Sequence, residues 1–309
     1  MSLPFTGPLL VTGLPRSGTS WAGRMLVAGG ELVYVNEPLN PQHPPGGCPG
    51  VLDATVTHRF QYICRDNEAG WLPAFRDTVA LRYRFAAELR RNRAPYDVAR
   101  LIRYGGAFTA GRMLGHRALL DDPFALLSAG WFVERLGCRV IILLRDPVAL
   151  AASWHRLGWT FDFRELLDQP LLLRDHPHAR EVASLAASAD DVIKTAILWR
   201  LTGVIADRLA ARHPGIRVVR YEHLAADPLG GFSDLYTWAG LTWSPRAEAR
   251  ITRACSPPLN RPMIPVPFAW SGRSLSRTAF RRMDSRQAAQ ARALGLSPDQ
   301  INRIRRLCG

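Results

Sequence analysis

The sequence has almost no lysine: Lys194 stands alone among 40 basic residues, so arginine carries the other 39 positive charges. It has no Cys-x-x-Cys pair either. The five cysteines, Cys48, Cys64, Cys138, Cys255 and Cys308, are odd in number and scattered, which argues against a disulfide framework or a zinc site and leaves free thiols. Apolar runs such as Val140 to Leu144 fall far short of the roughly 18–20 residues needed to cross a bilayer, so no membrane span is expected. No basic residue precedes Arg16, and Pro4 and Pro8 interrupt the amino end, unlike the charged-then-apolar layout of a secretory leader. A cytoplasmic location is the expectation.

What is present is an ordinary globular composition: 309 residues, 47% hydrophobic and 21% charged, enough for a sizeable core and unlike a disordered or collagen-like chain. Forty basic against twenty-six acidic side chains give +14. That surplus attracts anions, and guanidinium forks grip oxyanions well, although solvated helix faces account for most of these arginines. No nucleic-acid-binding module is legible, so nucleic acid is not an expected partner.

Leu9 to Thr12 is a short apolar run ending in a Gly/Pro turn, and Thr19 to Ala28 can be helical, which reads as strand, loop, helix. Leu32 to Val35 reads as a second strand leading into Asn36-Glu37-Pro38. The proline- and glycine-rich segment 38–50 that follows is expected to be a surface loop or lid. From Phe75 to Arg103 apolar and arginine residues alternate at helical spacing, with Pro95 as the break between two helices. Asp121-Asp122-Pro123 reads as the opening of another helix.

Arg139 to Leu144 ends in a continuous apolar run of the kind found in parallel strands covered on both faces. Asp146 and Pro147 supply an N-cap and a first-turn proline, which sets Arg145 at the carboxyl end of that strand, where ligands gather. A helix from about Asp190 to Arg212, a strand from Ile216 to Tyr221, a proline-rich loop from Pro257 to Pro267 and an arginine-rich helical tail complete an α/β pattern with a central parallel sheet. A single domain over residues 1–309 is expected.

The frame Gly13-Leu14-Pro15-Arg16-Ser17-Gly18-Thr19-Ser20, set between a strand and a helix, is a phosphate-binding loop with one change. A Walker A loop places a lysine after the second glycine to reach the β and γ phosphates; Thr19 has neither the charge nor the reach, which weakens a nucleoside triphosphate reading. Backbone N–H groups and the positive end of the helix still favour an anion, and Arg16 adds a full charge.

The stretch from Thr12 to Trp21 resembles the 5′-phosphosulfate loop of sulfotransferases that use 3′-phosphoadenosine 5′-phosphosulfate (PAPS). Arg145-Asp146-Pro147, with Ser153 eight residues after the arginine, is similar to that family's 3′-phosphate-binding strand and helix; such a pair can converge on one phosphate. Arg220-Tyr221-Glu222-His223-Leu224 with Asp227-Pro228 resembles the strand end whose tyrosine lies near the adenine, and Ser271-Gly272-Arg273 is similar to a late cofactor loop. The resemblance implies a P-loop-type three-layer fold with helices flanking the parallel sheet. It implies PAPS as donor and a cofactor site of Pro15, Arg16, Ser17, Gly18, Thr19, Ser20, Arg145, Ser153 and Tyr221. No metal is expected.

By analogy with phosphoryl transfer, sulfuryl transfer is in-line and loose, with charge moving onto the oxygen that bridges to the leaving phosphate; Arg16 and the loop N–H groups would stabilise it. Glu37 resembles the family's catalytic glutamate and is the expected general base, with His116, His155 and His223 as alternatives. No Walker B-type aspartate is read, because the run Val140 to Leu144 ends in Arg145. Related carbohydrate and tyrosyl sulfotransferases often carry a lysine where Asp121 stands; Arg117 or Lys194 could substitute. The expected acceptor is the hydroxyl of a small molecule or sugar, walled by the 38–50 loop and the helices of 75–110, whose arginines suit an anionic acceptor. A nucleotide-dependent small-molecule kinase and a basic nucleic-acid-binding protein are the competing readings.

Overall fold

A computed structural model describes residues 5–41, 55–91, 95–256 and 295–309. Five parallel strands, β1 (Leu9–Gly13), β2 (Leu32–Asn36), β3 (Arg117–Asp121), β4 (Arg139–Leu144) and β5 (Ile216–Arg220), form one sheet in the order β2-β3-β1-β4-β5. β1 is central, with Leu10 in register with Leu120 of β3 on one side and Val140 of β4 on the other. The chain winds to one side of β1 for β2 and β3 and to the other for β4 and β5, so loops diverge above its carboxyl end. Such reversals open the crevice in which α/β sheets bind ligands.

Side chains alternate across a strand, so each face of the sheet builds its own core. Leu10, Val33, Leu120, Val140 and Ile142 pack with Phe75, Phe132, Trp154 and Leu198, from the helices Leu72–Val79, Ala129–Leu136, Pro147–Leu157 and Asp191–Arg212. Leu9, Val11, Leu119, Ile141 and Leu143 pack on the opposite face with Trp21, Leu224, Phe232 and Ile251, from the helices Thr19–Leu26, Tyr221–Ala226, Pro228–Ala239 and Pro245–Cys255. The result is the expected three-layer α/β arrangement. Of the arginine-rich tail, the described residues 295–309 hold a helix, Pro298–Cys308, with a capping box at Ser297 and Gln300.

Three local expectations need correction. Asp121-Asp122-Pro123 does not open a helix: Asp121 ends β3, and the next α-helix begins at Ala129. Asp122 accepts instead from the backbone N–H groups of Leu39 (2.6 Å) and Phe124 (2.9 Å), tying the turn after β3 to the chain leaving β2. The region from 75 to 103 holds parts of three helices, Leu72–Val79, Phe85–Arg91 and Pro95–Met113, and Pro95 starts the last of them, where its missing N–H costs nothing. Tyr221 is the first residue of a helix, one position beyond the end of β5. Residues 42–50 of the expected loop, the stretch Pro257 to Pro267, and Ser271-Gly272-Arg273 lie outside the described residues.

Candidate active site

Each strand delivers a candidate residue at or just beyond its carboxyl end: the loop with Arg16 after β1, Glu37 after β2, Asp121 at the end of β3, Arg145 after β4 and Tyr221 after β5. The loop after β1 turns tightly, with Ser17 N–H donating to the Leu14 carbonyl at 3.0 Å. Two glycines are sterically required. A Cβ on Gly13 would stand 2.4 Å from the Leu143 carbonyl oxygen, and one on Gly18 (φ +94°) would stand 2.6 Å from the Tyr221 ring. Pro15 is held from outside, its carbonyl accepting from Trp154 Nε1 at 2.8 Å.

Arg16 and Glu37 both have positive φ, +76° and +45°; among the described residues Leu81 is the one other non-glycine residue to do so. Left-handed backbone costs a side-chain-bearing residue about 1–2 kcal/mol, a strain that clusters at functional positions.

Arginines gather over the loop. Arg16 Nε donates to Ser153 Oγ at 3.3 Å, and Arg145 Nη1 donates to the Arg16 carbonyl at 2.9 Å. Arg145 also lies over the Tyr221 ring, 5.2 Å from its centroid, while its Nε is buried without a hydrogen-bond partner. The Trp199 indole N–H donates to the Arg145 carbonyl at 2.7 Å, fixing the strand end from the helix behind. Asp146 caps the helix Pro147–Leu157 as expected, accepting from Ala149 N–H at 2.8 Å, and this orients Ser153. Burial, then the charges of Arg145 and Arg156, hold the Arg16 guanidinium below its ordinary value. None of these three arginines forms an ion pair among the described residues, so the cleft presents uncompensated positive charge.

The ends of β2 and β3 carry carboxyl groups. The Glu37 carboxylate accepts from Asn40 Nδ2 at 2.7 Å, and Glu37 N–H donates to the Asp121 carbonyl at 2.7 Å. Burial raises the Glu37 carboxyl above its usual range, and the Asn40 bond partly offsets that. Asp121 and Asp122 are completely buried. Burial pushes Asp121 up to about 6 and Asp122 well above an ordinary aspartate, and the neighbouring Glu37 charge adds to both. Burial therefore makes both aspartates harder to ionise than ordinary carboxyls.

A sequence model described as the sulfotransferase family matches residues 8–245, well over half of the chain and the whole span of the sheet. The chain belongs to the sulfotransferase family. No curated protein matches it. Among solved structures, the sulfotransferase domain from the curacin biosynthetic pathway is similar at 14% identity over 98% of this chain and 97% of that one, with a TM-score of 0.53, a likeness of fold. The sulfotransferase domain from the Synechococcus PCC 7002 olefin synthase aligns at 14% identity over 100% and 97% of the two chains, with a TM-score of 0.47.

In this sulfotransferase the residues expected for the cofactor site do come together: Pro15, Arg16, Ser17, Gly18, Thr19 and Ser20 lie in one loop, with Arg145, Ser153 and Tyr221 against it. Arg117 does not join them. It starts β3, at the end of the sheet opposite Asp121, and donates to the Phe5 (2.7 Å) and Ala239 (3.1 Å) carbonyls, so it cannot replace the absent lysine; His116, just before it, sits at the same far edge. Lys194 faces Asp191 at 3.5 Å.

Asp121 is the residue the sequence reading missed. It is an aspartate ending an apolar strand beside the loop strand, the Walker B-type placement not expected from the sequence, and Tyr34 Oη donates to its Oδ2. The hydroxyls of Ser20 and Thr19 also favour its charged form, though Oδ1 has no well-formed hydrogen bond. The signal was present as Ala118-Leu119-Leu120-Asp121, but the following Asp-Pro mimics a helix start.

Proposed function

We propose that this sulfotransferase moves the sulfuryl group of PAPS to a hydroxyl of a small-molecule or carbohydrate acceptor. In this reading the loop N–H groups and Arg16 hold the 5′-phosphosulfate and neutralise charge arriving on the bridging oxygen, Arg145 and Ser153 take the 3′-phosphate, and Tyr221 borders the adenine. Glu37 removes the acceptor proton. Its raised proton affinity suits that role, because a base poised nearer neutrality transfers protons more effectively than an ordinary carboxylate. The acceptor hydroxyl would approach from the side of β2, beside the helices Phe85–Arg91 and Pro95–Met113. Arg103 and Arg112 are exposed there and suit an anionic acceptor, whereas Arg84 is already engaged by Asp77 at 2.8 Å. One catalytic domain over the whole chain and a cytoplasmic location belong to the same proposal; no helix among the described residues is long and apolar enough to cross a membrane.

The observation that carries this reading is the join between the two anion-binding elements, Arg16 to Ser153 at 3.3 Å and Arg145 to the Arg16 carbonyl at 2.9 Å. Two phosphate-type groups of one nucleotide can then be held at once. Purified protein is to be incubated with labelled PAPS and a panel of alcohols, phenols, sugars and amines; label on a hydroxyl acceptor is expected, and no transfer to any of them refutes the reading. Glu37→Gln should abolish transfer while retaining adenosine 3′,5′-bisphosphate binding, and near-normal turnover would remove Glu37 from the mechanism.

A second reading, a small-molecule kinase, gains from Asp121, since P-loop kinases pair such an aspartate with the loop hydroxyl through magnesium. It loses on Thr19 in place of the phosphate-reaching lysine. Among the described residues no group of three His, Cys, Asp or Glu side chains is arranged to hold a metal ion. Thermal stabilisation by ATP and magnesium but not by adenosine 3′,5′-bisphosphate would select the kinase.

A further inference from the structure

The helix Pro147–Leu157 carries a second polar group on the face that bears Ser153. Arg156 stands three residues on, and side chains three apart on a helix are neighbours, with about 5–6 Å between their Cβ atoms. Ser153 is itself bonded to Arg16. Arg156 is exposed, and it makes no hydrogen bond or ion pair among the described residues. Its charge nevertheless reaches the loop, being one of the two cationic neighbours that act on Arg16. A guanidinium that lacks an acidic partner among the described residues and sits one turn from a serine bonded to the loop arginine suits an incoming anion.

We propose that Arg156 is a third cation of the donor site and the one that makes binding depend on the 3′-phosphate. The proposal rests on the PAPS reading above. Arg16 belongs to the loop, and Arg145 spends one N–H on the loop carbonyl. Ser153 brings a single hydroxyl. A dianionic phosphate offers more acceptor sites than Ser153 and the remaining Arg145 donors can fill, and Arg156 supplies the missing fork. In the free protein the three arginines repel one another without compensation; a nucleotide with phosphates at both its 3′ and 5′ ends relieves that repulsion, and one phosphorylated only at 5′ relieves part of it.

Calorimetric titration of wild type, Arg156→Gln and Arg156→Lys with adenosine 3′,5′-bisphosphate and with ADP tests this. Wild type should prefer the 3′-phosphorylated ligand. Arg156→Gln should weaken that ligand by roughly tenfold to a hundredfold, the usual value of a charge-assisted hydrogen bond, while ADP affinity moves less than about twofold. Arg156→Lys should fall between, because it keeps the charge and loses the fork. Retained ADP binding by the variants shows that they are folded. Equal weakening of both ligands, or no change in either, overturns the role of Arg156 and leaves the donor reading standing. Failure of wild-type protein to bind adenosine 3′,5′-bisphosphate overturns the donor reading itself.

Discussion

Asp121→Asn should stabilise this protein, and more so at pH 8 than at pH 5. The carboxyl is completely buried and pushed up from 3.8 to about 6, chiefly by burial. Unfolded, it would release its proton near ~3.9. Between those values the native state binds more protons than the unfolded chain, so stability falls as pH rises through the window. At ~1.4 kcal/mol per tenfold change in proton affinity, this displacement puts the cost of the ionised form at about 3 kcal/mol once the pH is above 6, with roughly half of that already present at pH 5. Asparagine removes the charge and keeps an oxygen to accept from Tyr34, while its amide can donate to the Ser20 or Thr19 hydroxyl. The advantage of the variant should therefore grow by roughly 1–2 kcal/mol from pH 5 to pH 8. Urea denaturation of both proteins at the two pH values measures it from the transition midpoints. A difference that is independent of pH, or a variant destabilised at pH 8, would show that Asp121 is ionised and well compensated in the fold. A charge that weakens the scaffold while lying under the anion loop is what a stability–activity trade-off produces, so the same variant should turn over more slowly although it is more stable.

Further expectations follow from single contacts. Gly18→Ala places its Cβ 2.6 Å from the Tyr221 ring at φ +94°; it should cost about 1–2 kcal/mol in backbone strain alone and lose bisphosphate affinity, and a Tyr221→Ala background should relieve the part due to the ring, as a double-mutant cycle would register. Trp154→Phe removes the donor that holds the Pro15 carbonyl; thermal unfolding should report a loss of about 1 kcal/mol, and donor KM should rise more than kcat falls. A net charge of +14 should make nucleotide association slow as salt is added, read by stopped-flow between low and physiological ionic strength, and a rate indifferent to salt would exclude steering.

The strands that the sequence displays most plainly are the ones whose chemistry could be read from it. β4 is a continuous apolar run ending in Arg145 and a capping Asp-Pro, so strand, edge and helix start are all legible together. β1 and its loop announce themselves through glycines that no other residue could replace at Gly13 and Gly18. β3 offers three apolar residues between Arg117 and an Asp-Asp-Pro that imitates a helix cap, and nothing local marks those residues as central in the sheet; their burial comes from β1 and β2 on either side. The strand expected to reach Tyr221 stops one residue short of it, since a strand and a helix meet at Arg220 without a linker.

The same distinction separates the two halves of the site. Anion-binding groups are legible because each depends on short-range geometry: a loop fixed by glycine, and a serine two turns along a capped helix. The carboxylate half depends on contacts between strands. Tyr34 meets Asp121 across 87 residues, and Leu39 meets Asp122 across 83. Those bonds favour the charged forms of the two aspartates, and burial between the strands outweighs them. Glu37 retains some contact with solvent and an amide donor, while the aspartates behind it are sealed, so the burial that sets Glu37 apart from the two aspartates arises from packing of β2 against β3. Admitting water to Asp122, for instance by Leu39→Gly, should lower its proton affinity and place a second negative charge beside Glu37. The acid limb of the pH–rate profile should then move upward, because Glu37 becomes harder to ionise. An unmoved limb would show that the base titrates independently of the pair behind it.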